Sequence, residues 1–416
     1  MNPYRAPLAI YVVWYPEYND NNVLVGKGKE LADFLFSSFN RDISNPISRG
    51  IGIPVFFRYQ PPEGQQYPIP ISKADSKKSV VVLLIDHEFV NNWENYTEQI
   101  LAAWEESDED LHRVIPVALE ETAYNVSSKV ETLNFINLHR FPEKKQKDEL
   151  LTNVTHELCR LLYNEPRISE ADHSNEERPI TLFLSYAREG GEEITDKIKS
   201  YIDKEIALRT FMDKRDIPKG RKFDQVLAKN ISQATLLIVL TDAYSSREWC
   251  RWEVLKAKRN DRPVVVIDAL TRQEARSFPY LGNSPVIRFE ELKTAKEVLT
   301  PILTEDQLKK LEEAEQKLTE ELLKKILHIV LFEILRYEYS KLLLRSQLNQ
   351  YEEDKKSYKI LGSPPELLTL VGKAFEKEAK DRHVIYPDPP LTNEERELLS
   401  ELEGYYFFTP TTLAAL

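Results

Sequence analysis

The fold is constrained most by short, nearly continuous apolar runs that alternate with segments of helical spacing. In residues 1–168 the apolar runs are 8–15, 53–58, 79–86, 113–119 and 133–138, and the helical patterns are 25–39, 93–104 and 145–162. Strands that are apolar throughout are buried on both faces, which is typical of parallel sheets covered by helices. These residues therefore predict an α/β lobe with a parallel sheet, the first lobe.

The same series begins again after a polar segment, residues 169–178, whose composition indicates a linker. The next strand patterns are 181–187, 208–213, 235–241, 263–269 and 285–289, and the helical patterns are 192–206, 222–233 and 247–260. Residues 179–300 are therefore predicted to form a second lobe, and both lobes fit the flavodoxin-like α/β class. An ancient duplication and convergence both explain the repeat.

Beyond residue 300 the composition changes to Leu, Glu and Lys. One helical pattern covers 306–348, and shorter ones lie near 366–375 and 393–402, so residues 301–416 are predicted to be a helical region. Its apolar stripe indicates core packing or an oligomer seam rather than a cofactor site. The last residues, 409–416, are typical of the entry to another segment, which predicts truncation at the C-terminus.

The bulk composition excludes several classes of partner. A net charge of -12 argues against broad binding to nucleic acid or to an anionic membrane. No apolar run approaches the ~20 residues of a membrane helix, and no signal sequence begins the chain, so a cytoplasmic location is predicted. The only cysteines, Cys159 and Cys250, and seven scattered histidines provide no zinc-type spacing, and no metal is expected.

Glu253 is the candidate for chemistry. It lies in the helical pattern that follows the strand pattern of residues 235–241, together with Trp249 and Trp252, and Ser246 lies just upstream. In open α/β sheets ligands bind past the carboxyl ends of the strands, so these side chains can face a crevice. The alternatives are an exposed helical glutamate for Glu253 and a helix N-cap for Ser246.

Three motifs lie at the ends of successive strand patterns of the second lobe or just after them. They are Phe183-Leu184-Ser185-Tyr186-Ala187-Arg188, Arg215-Asp216-Ile217-Pro218-Lys219-Gly220 and Trp249-Cys250-x-x-Glu253. In this order they resemble the Toll/interleukin-1 receptor (TIR) family, of the bacterial type that cleaves NAD+. The resemblance covers about residues 179–289. It departs from the family pattern at residues 286–289, which lack the tryptophan of the family's Phe-Trp element.

The resemblance implies that Glu253 acts on the bond between nicotinamide and ribose, with NAD+ as the substrate and without a cofactor. A carboxylate near that ribose carbon can stabilise the developing positive charge or capture it covalently. Trp249 and Trp252 would support the site or stack on a base, and Ser246 would orient a ribose hydroxyl. Arg188 would pair with the pyrophosphate, and a solvated loop arginine is the equal alternative.

The segment after the second strand pattern carries two further expectations. Asp213 ends that strand pattern as a candidate site carboxylate, and a loop hydrogen bond is the alternative. The resemblance assigns the loop of Arg215, Asp216, Pro218 and Gly220 to subunit assembly and to gating of the site. Its basic residues favour an acidic partner surface or a nucleotide phosphate.

The first lobe contains an echo of the third motif. In residues 93–98, Glu98 follows Trp93 by five places, whereas Glu253 follows Trp249 by four. Because a helix turns by about 100° per residue, the two glutamates do not occupy the same position on their helices. The first lobe is therefore predicted to be TIR-like in fold and catalytically silent, with a role in assembly or sensing.

These observations lead to one hypothesis and two alternatives. The hypothesis is an NAD+ glycohydrolase or ADP-ribosyl cyclase of prokaryotic antiphage defence. It is active as a homo-oligomer through TIR lobes and C-terminal helices, and an activating partner or phage trigger switches it on. The first alternative is a non-catalytic adaptor that assembles through TIR lobes, and the second is a nucleotide-binding sensor with the first lobe as receptor. The sequence does not decide between linear and cyclic ADP-ribose as the product.

Overall fold

The computed structural model divides into two compact units, Met1–Asn175 and Glu176–Leu416. The structure describes residues 5–40, 51–72, 75–105, 111–130, 133–163, 180–212, 223–270, 280–282, 284–288, 305–348, 358–370, 382–388 and 391–413, with the backbone alone at 103–105, 223–226, 305–319 and 400. Nowhere in these ranges does a helix combine the length and the low charge that crossing a bilayer requires.

The described part of the first unit is a parallel sheet flanked by helices. In chain order its elements are β1 (Ala6–Trp14), β2 (Glu17–Tyr18), β3 (Leu24–Val25), α1 (Lys27–Phe39), β4 (Val55–Arg58), β5 (Ser76–Ile85), α2 (His87–Glu105), β6 (His112–Ala118), β7 (Ile136–Asn137) and α3 (Glu143–Tyr163). The main sheet has the order β4-β1-β5-β6-β7, and β2 and β3 form a short antiparallel pair.

Burial explains why these runs form a covered sheet. All nine residues of β1 are buried, and so are residues 78–85 of β5. A strand that is buried at every position needs cover on both faces, which amphipathic helices supply. In α1, for example, Leu31, Leu35 and Phe39 are buried at spacings of four residues, and they form one face of the helix.

The second unit begins with a sheet of the same design. Its elements up to residue 288 are β8 (Thr181–Tyr186), α4 (Arg188–Glu205), β9 (Arg209–Met212), α5 (Phe223–Gln233), β10 (Thr235–Leu240), α6 (Glu248–Arg259), β11 (Val264–Asp268) and β12 (Val286–Arg288). The strand order is β12-β11-β10-β8-β9, and the pairs are parallel. This is the order of the first sheet with β8 in the place of β1, so the prediction of two flavodoxin-like α/β lobes is confirmed.

The rest of the second unit combines a long helix with a small sheet. Its elements are α7 (Glu305–Leu348), β13 (Tyr358–Ile360), α8 (Leu367–Leu370), β14 (Arg382–Ile385), α9 (Asn393–Ser400), β15 (Tyr405–Phe408) and α10 (Pro410–Leu413). The predicted helical character is confirmed, most clearly by the 44 residues of α7. The parallel sheet β13-β14-β15 is an addition that the sequence pattern did not predict.

Two predicted boundaries in the first lobe were wrong. Helix α2 begins at His87 rather than at residue 93, because the Asp86 carboxylate accepts the Phe89 backbone N–H at 2.8 Å and caps the helix directly after β5. The strand expected at 133–138 is only the two residues of β7, because it pairs with the end of β6 alone and a 3-10 turn begins at Leu138.

Polar contacts at the end of α6 attach the C-terminal elements to the second lobe. Lys258 Nζ lies 2.9 Å from Glu366 Oε1, and the two side chains are only 8% and 18% exposed. Lys341 Nζ lies 2.8 Å from the carboxylate of Asp261, whose backbone carbonyl accepts the hydroxyl of Tyr337. Because breaking one partner of a buried ion pair is costly, these contacts fix the far end of α6.

Candidate active site

The site is built where β8 and β10 end and α6 begins. These two strands pair side by side near the centre of the sheet, and α6 follows β10 after a short loop. Glu253 lies on the second turn of α6 and is 5% exposed, although its side chain is acidic. The alternative of an exposed surface glutamate is therefore wrong, and a carboxylate buried at the carboxyl ends of parallel strands remains.

A hydroxyl chain reaches this carboxylate. Ser185 Oγ donates a hydrogen bond to Glu253 Oε2 at 2.5 Å, and the same Oγ lies 2.6 Å from the hydroxyl of Tyr244. Ser185 is 1% exposed and Tyr244 is fully buried. The buried carboxylate thus has a hydrogen-bond donor, as a buried polar group requires.

The electrostatics of the site favour a neutral phenol. Burial raises the pKa of Tyr244 well above its usual value, and the negative charge of Glu253 raises it further, as does Cys250. The hydrogen bond with Ser185 opposes this rise in pKa. Tyr244 is therefore a protonated phenol throughout the neutral pH range.

The two tryptophans lie on the first turns of α6. Trp249 is 52% exposed, and its ring contacts Trp252 edge to face, with centroids 5.7 Å apart. The Nζ atom of Lys256 lies 5.8 Å from the centroid of the Trp252 ring. An exposed indole beside a buried carboxylate provides a flat surface on which an aromatic ring can stack.

Arg188 and Ser246 lie beyond the carboxyl ends of β8 and β10, at the same edge of the sheet. Arg188 is the exposed first residue of α4, directly beyond β8. The hydroxyl of Ser246 donates to the Ala243 carbonyl at 2.8 Å. The N-cap of α6 is Arg247, without a side-chain cap, so the N-cap alternative for Ser246 is wrong.

Residues 182–299 match the family model of the TIR domain. This stretch is a TIR domain. The resemblance of the three motifs to the TIR family is thereby confirmed, and the candidate site lies within the matched residues.

One solved structure is similar to part of the chain. The chain is similar to the TIR domains of the activated Roq1 resistosome directly recognizing the pathogen effector XopQ, with 20% identity over 36% of this chain and 83% of that chain, at a TM-score of 0.21. So low a TM-score supports no inference about assembly or activity. No curated protein matches the chain significantly.

Several predicted site residues of the TIR domain lie outside the described residues. They are Asp213, Arg215, Asp216, Pro218 and Gly220. Their predicted roles in the site, in assembly and in gating stay predictions. Within the described ranges, no group of three His, Cys, Asp or Glu side chains is placed to hold a metal ion.

Sequence reasoning missed two members of the hydroxyl chain. The first motif includes Ser185 without indicating a role for it, and no sequence pattern singles out Tyr244. Their partners are distant in sequence, 59 residues apart for Ser185 and Tyr244 and 68 for Ser185 and Glu253. One signal was available, because Ser185 is the polar member of an apolar stripe with Phe183 and Ala187.

The echo in the first lobe does not reproduce the site. Trp93 is 2% exposed, and its ring contacts Phe89, Tyr96 and Tyr15. Glu98 is half-buried and accepts the Ser127 hydroxyl at 3.2 Å, in a loop that follows β6. An aromatic cluster therefore occupies the face of α2 that corresponds to the hydroxyl chain of α6.

Proposed function

We propose that the TIR domain cleaves the bond between nicotinamide and ribose in NAD+, with Glu253 as the catalytic carboxylate. The observation that carries this proposal is the burial of Glu253 at the carboxyl ends of β8 and β10, where Ser185 holds it. A charge is placed there at a cost in desolvation, and a core position would be filled more favourably by an apolar residue.

The chemistry needs one carboxylate. Cleavage breaks the bond between the ribose C1′ and the nicotinamide N1, and the electron pair goes to N1. Because the bound pyridinium is cationic, nicotinamide leaves as a neutral molecule and requires no general acid. The Glu253 carboxylate stabilises the positive charge that develops on the ribose. Water then adds its oxygen to C1′ and loses a proton, which gives linear ADP-ribose, or an adenine nitrogen attacks and gives a cyclic product.

Other side chains have supporting roles in this proposal. Trp249 offers its exposed ring to a base or to nicotinamide, and Arg188, exposed just beyond β8, pairs with the pyrophosphate. Since Glu253 is 5% exposed, the substrate reaches it only after the surrounding groups move. Assembly through TIR domains and the C-terminal helices supplies that movement, in response to an activating partner or a phage trigger.

The proposal places the protein in prokaryotic antiphage defence, in the cytoplasm, with NAD+ as substrate and no added cofactor. Depletion of a central nucleotide or release of a cyclised product would follow from activation. The family match supports an immunity-type signalling role in this coarse form.

The test is nicotinamide release by the full chain at high protein concentration. Glu253→Ala and Glu253→Gln should lower the rate at least ~100-fold, as removal of a transition-state charge partner does. The matched control is Glu248→Ala, because Glu248 is an exposed glutamate of the same helix, and its rate should stay within about twofold of wild type. Equal release by the wild type and by Glu253→Ala would refute the assignment.

One observation favours a second candidate, a non-catalytic adaptor that works through TIR assembly. The carboxylate of Glu253 is buried and hydrogen-bonded, which also suits a glutamate that only orders the start of α6. The adaptor predicts no nicotinamide release from the wild type under any assembly condition. It also predicts that Glu253→Gln lowers the free energy of unfolding and the tendency to self-associate together.

A further inference from the structure

Tyr244 is a tyrosine of the TIR domain whose hydroxyl is buried beside the Ser185 side chain. It is fully buried in the loop between β10 and α6. Its backbone N–H donates to the Thr241 carbonyl at 2.9 Å, and its own carbonyl accepts the Arg247 N–H at 3.1 Å, so two turns fix its backbone. A phenylalanine would fill the same space without burying a hydroxyl.

The direction of the hydroxyl chain follows from the number of protons available. A serine hydroxyl has one hydrogen, and an ionised carboxylate only accepts, so Ser185 donates to Glu253. The 2.6 Å contact between Ser185 and Tyr244 then requires the phenol to donate. The protonated state of Tyr244, argued above from its raised pKa, supplies that hydrogen. Hydrogen bonds in series at low dielectric polarise one another, so the phenol strengthens the bond that reaches the carboxylate.

We infer that Tyr244 is a positioning residue that acts through Ser185 to hold the Glu253 carboxylate ionised and in one orientation. The inference rests on the proposed function, since it gives that carboxylate its task. It adds two residues, Ser185 and Tyr244, that lie outside the set predicted from the sequence. Neither residue contacts the substrate in this account.

The test is a double-mutant cycle on the full chain with Tyr244→Phe, Ser185→Ala and both together. Tyr244→Phe should lower kcat roughly five- to tenfold with little change in KM, because one hydrogen bond to a charged network is lost. Removing donors disfavours the ionised carboxylate, so the acid limb of the pH profile of kcat/KM should move up by roughly half a unit to one unit. In the Ser185→Ala background, Tyr244→Phe should have almost no further effect, because its route to Glu253 is gone.

Tyr11→Phe is the matched control, because Tyr11 is a fully buried tyrosine of the first lobe. It should leave kcat and the pH profile unchanged. A second measurement does not depend on activity. It is a ¹³C NMR titration of the Glu253 carboxyl, whose signal is identified by its absence from the spectrum of Glu253→Gln. Its midpoint should rise in Tyr244→Phe.

The outcomes separate the two proposals. Wild-type kinetics together with a wild-type carboxyl midpoint in Tyr244→Phe would overturn the positioning role. Additive effects of the two substitutions would overturn the route through Ser185. Absence of nicotinamide release from every protein, wild type included, would count against the proposed function, and the carboxyl titration would still decide whether the hydroxyl chain exists.

Discussion

In both lobes the first long strand faces the helix that follows its neighbouring strand. In the first lobe β1 faces α2, and the contact is made by a buried cluster that includes Tyr11, Val13 and Trp93. In the TIR domain β8 faces α6, and the contact includes the hydrogen bond from Ser185 to Glu253. The same strand order thus presents an aromatic core in one lobe and a buried carboxylate in the other.

The register of the sheets shows which residues correspond. Leu119 N–H donates to the Ile85 carbonyl at 2.9 Å, and Ala269 N–H donates to the Leu240 carbonyl at 3.0 Å, each just beyond a neighbouring strand. Ile85 and Leu240 are therefore equivalent. Counting back two residues and crossing to the paired strand leads to Val13 in the first lobe and to Ser185 in the TIR domain.

Val13 and Ser185 therefore occupy corresponding positions, but one side chain is apolar and the other carries a hydroxyl. Val13 needs only contact, and the bulky ring of Trp93 covers the end of β1 in its cluster. Ser185 needs a partner for its hydroxyl, and it supplies one to a carboxylate that would otherwise be buried at high cost. The comparison shows an apolar contact at this edge of the first lobe and a buried, hydrogen-bonded carboxylate at the same edge of the TIR domain.

The largest effect should come from Trp93→Ala in the first lobe. Trp93 is 2% exposed among three aromatic rings, so its removal leaves a large cavity. We expect the free energy of unfolding of this lobe to fall by about 3–5 kcal/mol. Hydrogen exchange of the β5 and β10 amides, measured in the same sample, reports the two lobes separately.

The packing role of Trp93 would be contradicted if Trp93→Ala abolished nicotinamide release while the β10 amides kept their protection from hydrogen exchange. That result would give the first lobe a direct part in the reaction rather than a packing role at this position.

The sequence predicted the architecture better than the site. Apolar runs such as residues 235–241 are sufficient to predict buried parallel strands, because burial on both faces leaves a local signature. Glu253 was found through its place after such a strand and through the family motif. The hydroxyl chain was missed because side chains separated by 59 and 68 residues meet only in the folded sheet.

The strands of the C-terminal sheet were missed for a related reason. β13, β14 and β15 have three or four residues each, too few for a period to emerge. Their pairing depends on buried contacts such as those of Val384 and Ile385 with side chains from other elements. The aromatic run of β15, Tyr405–Phe408, was the one local signal of a strand.

A smaller effect on stability should come from Tyr96, a buried tyrosine of the first lobe, at alkaline pH. Burial raises the pKa of Tyr96 in the first lobe to about 12, and nearby Arg58 opposes the rise. Since the folded-state pKa exceeds the unfolded value near 10, the neutral phenol stabilises the fold below pH 10, and this stability is lost as the pH rises toward 12. Tyr96→Phe should therefore reduce the alkaline loss of first-lobe stability by roughly 2 kcal/mol.

The measurement is urea unfolding of wild type and Tyr96→Phe between pH 7 and the alkaline range, with lobe-resolved hydrogen exchange at neutral pH as reference. Near pH 7 the two proteins should differ little, because the Tyr96 hydroxyl makes only a long 3.3 Å bond to the Ile69 carbonyl. Tyr244→Phe is the counterpart in the TIR domain and should also change the pH profile of activity. A parallel alkaline decline in wild type and Tyr96→Phe would show that this phenol does not titrate with unfolding.

The smallest effect on stability should come from Trp249→Ala, and it sharpens the contrast with Trp93 most directly. Trp249 is 52% exposed and has one ring contact, with Trp252, so its loss should change the free energy of unfolding of the TIR domain by less than ~1 kcal/mol. If its exposed ring stacks on the substrate, KM for NAD+ should rise severalfold while kcat changes less, and Trp249→Phe should recover most of the affinity. Steady-state kinetics beside urea unfolding provide both numbers. A tryptophan that is expendable for stability but required for affinity would belong to the site, whereas unchanged KM together with unchanged stability would leave Trp249 without a role in either.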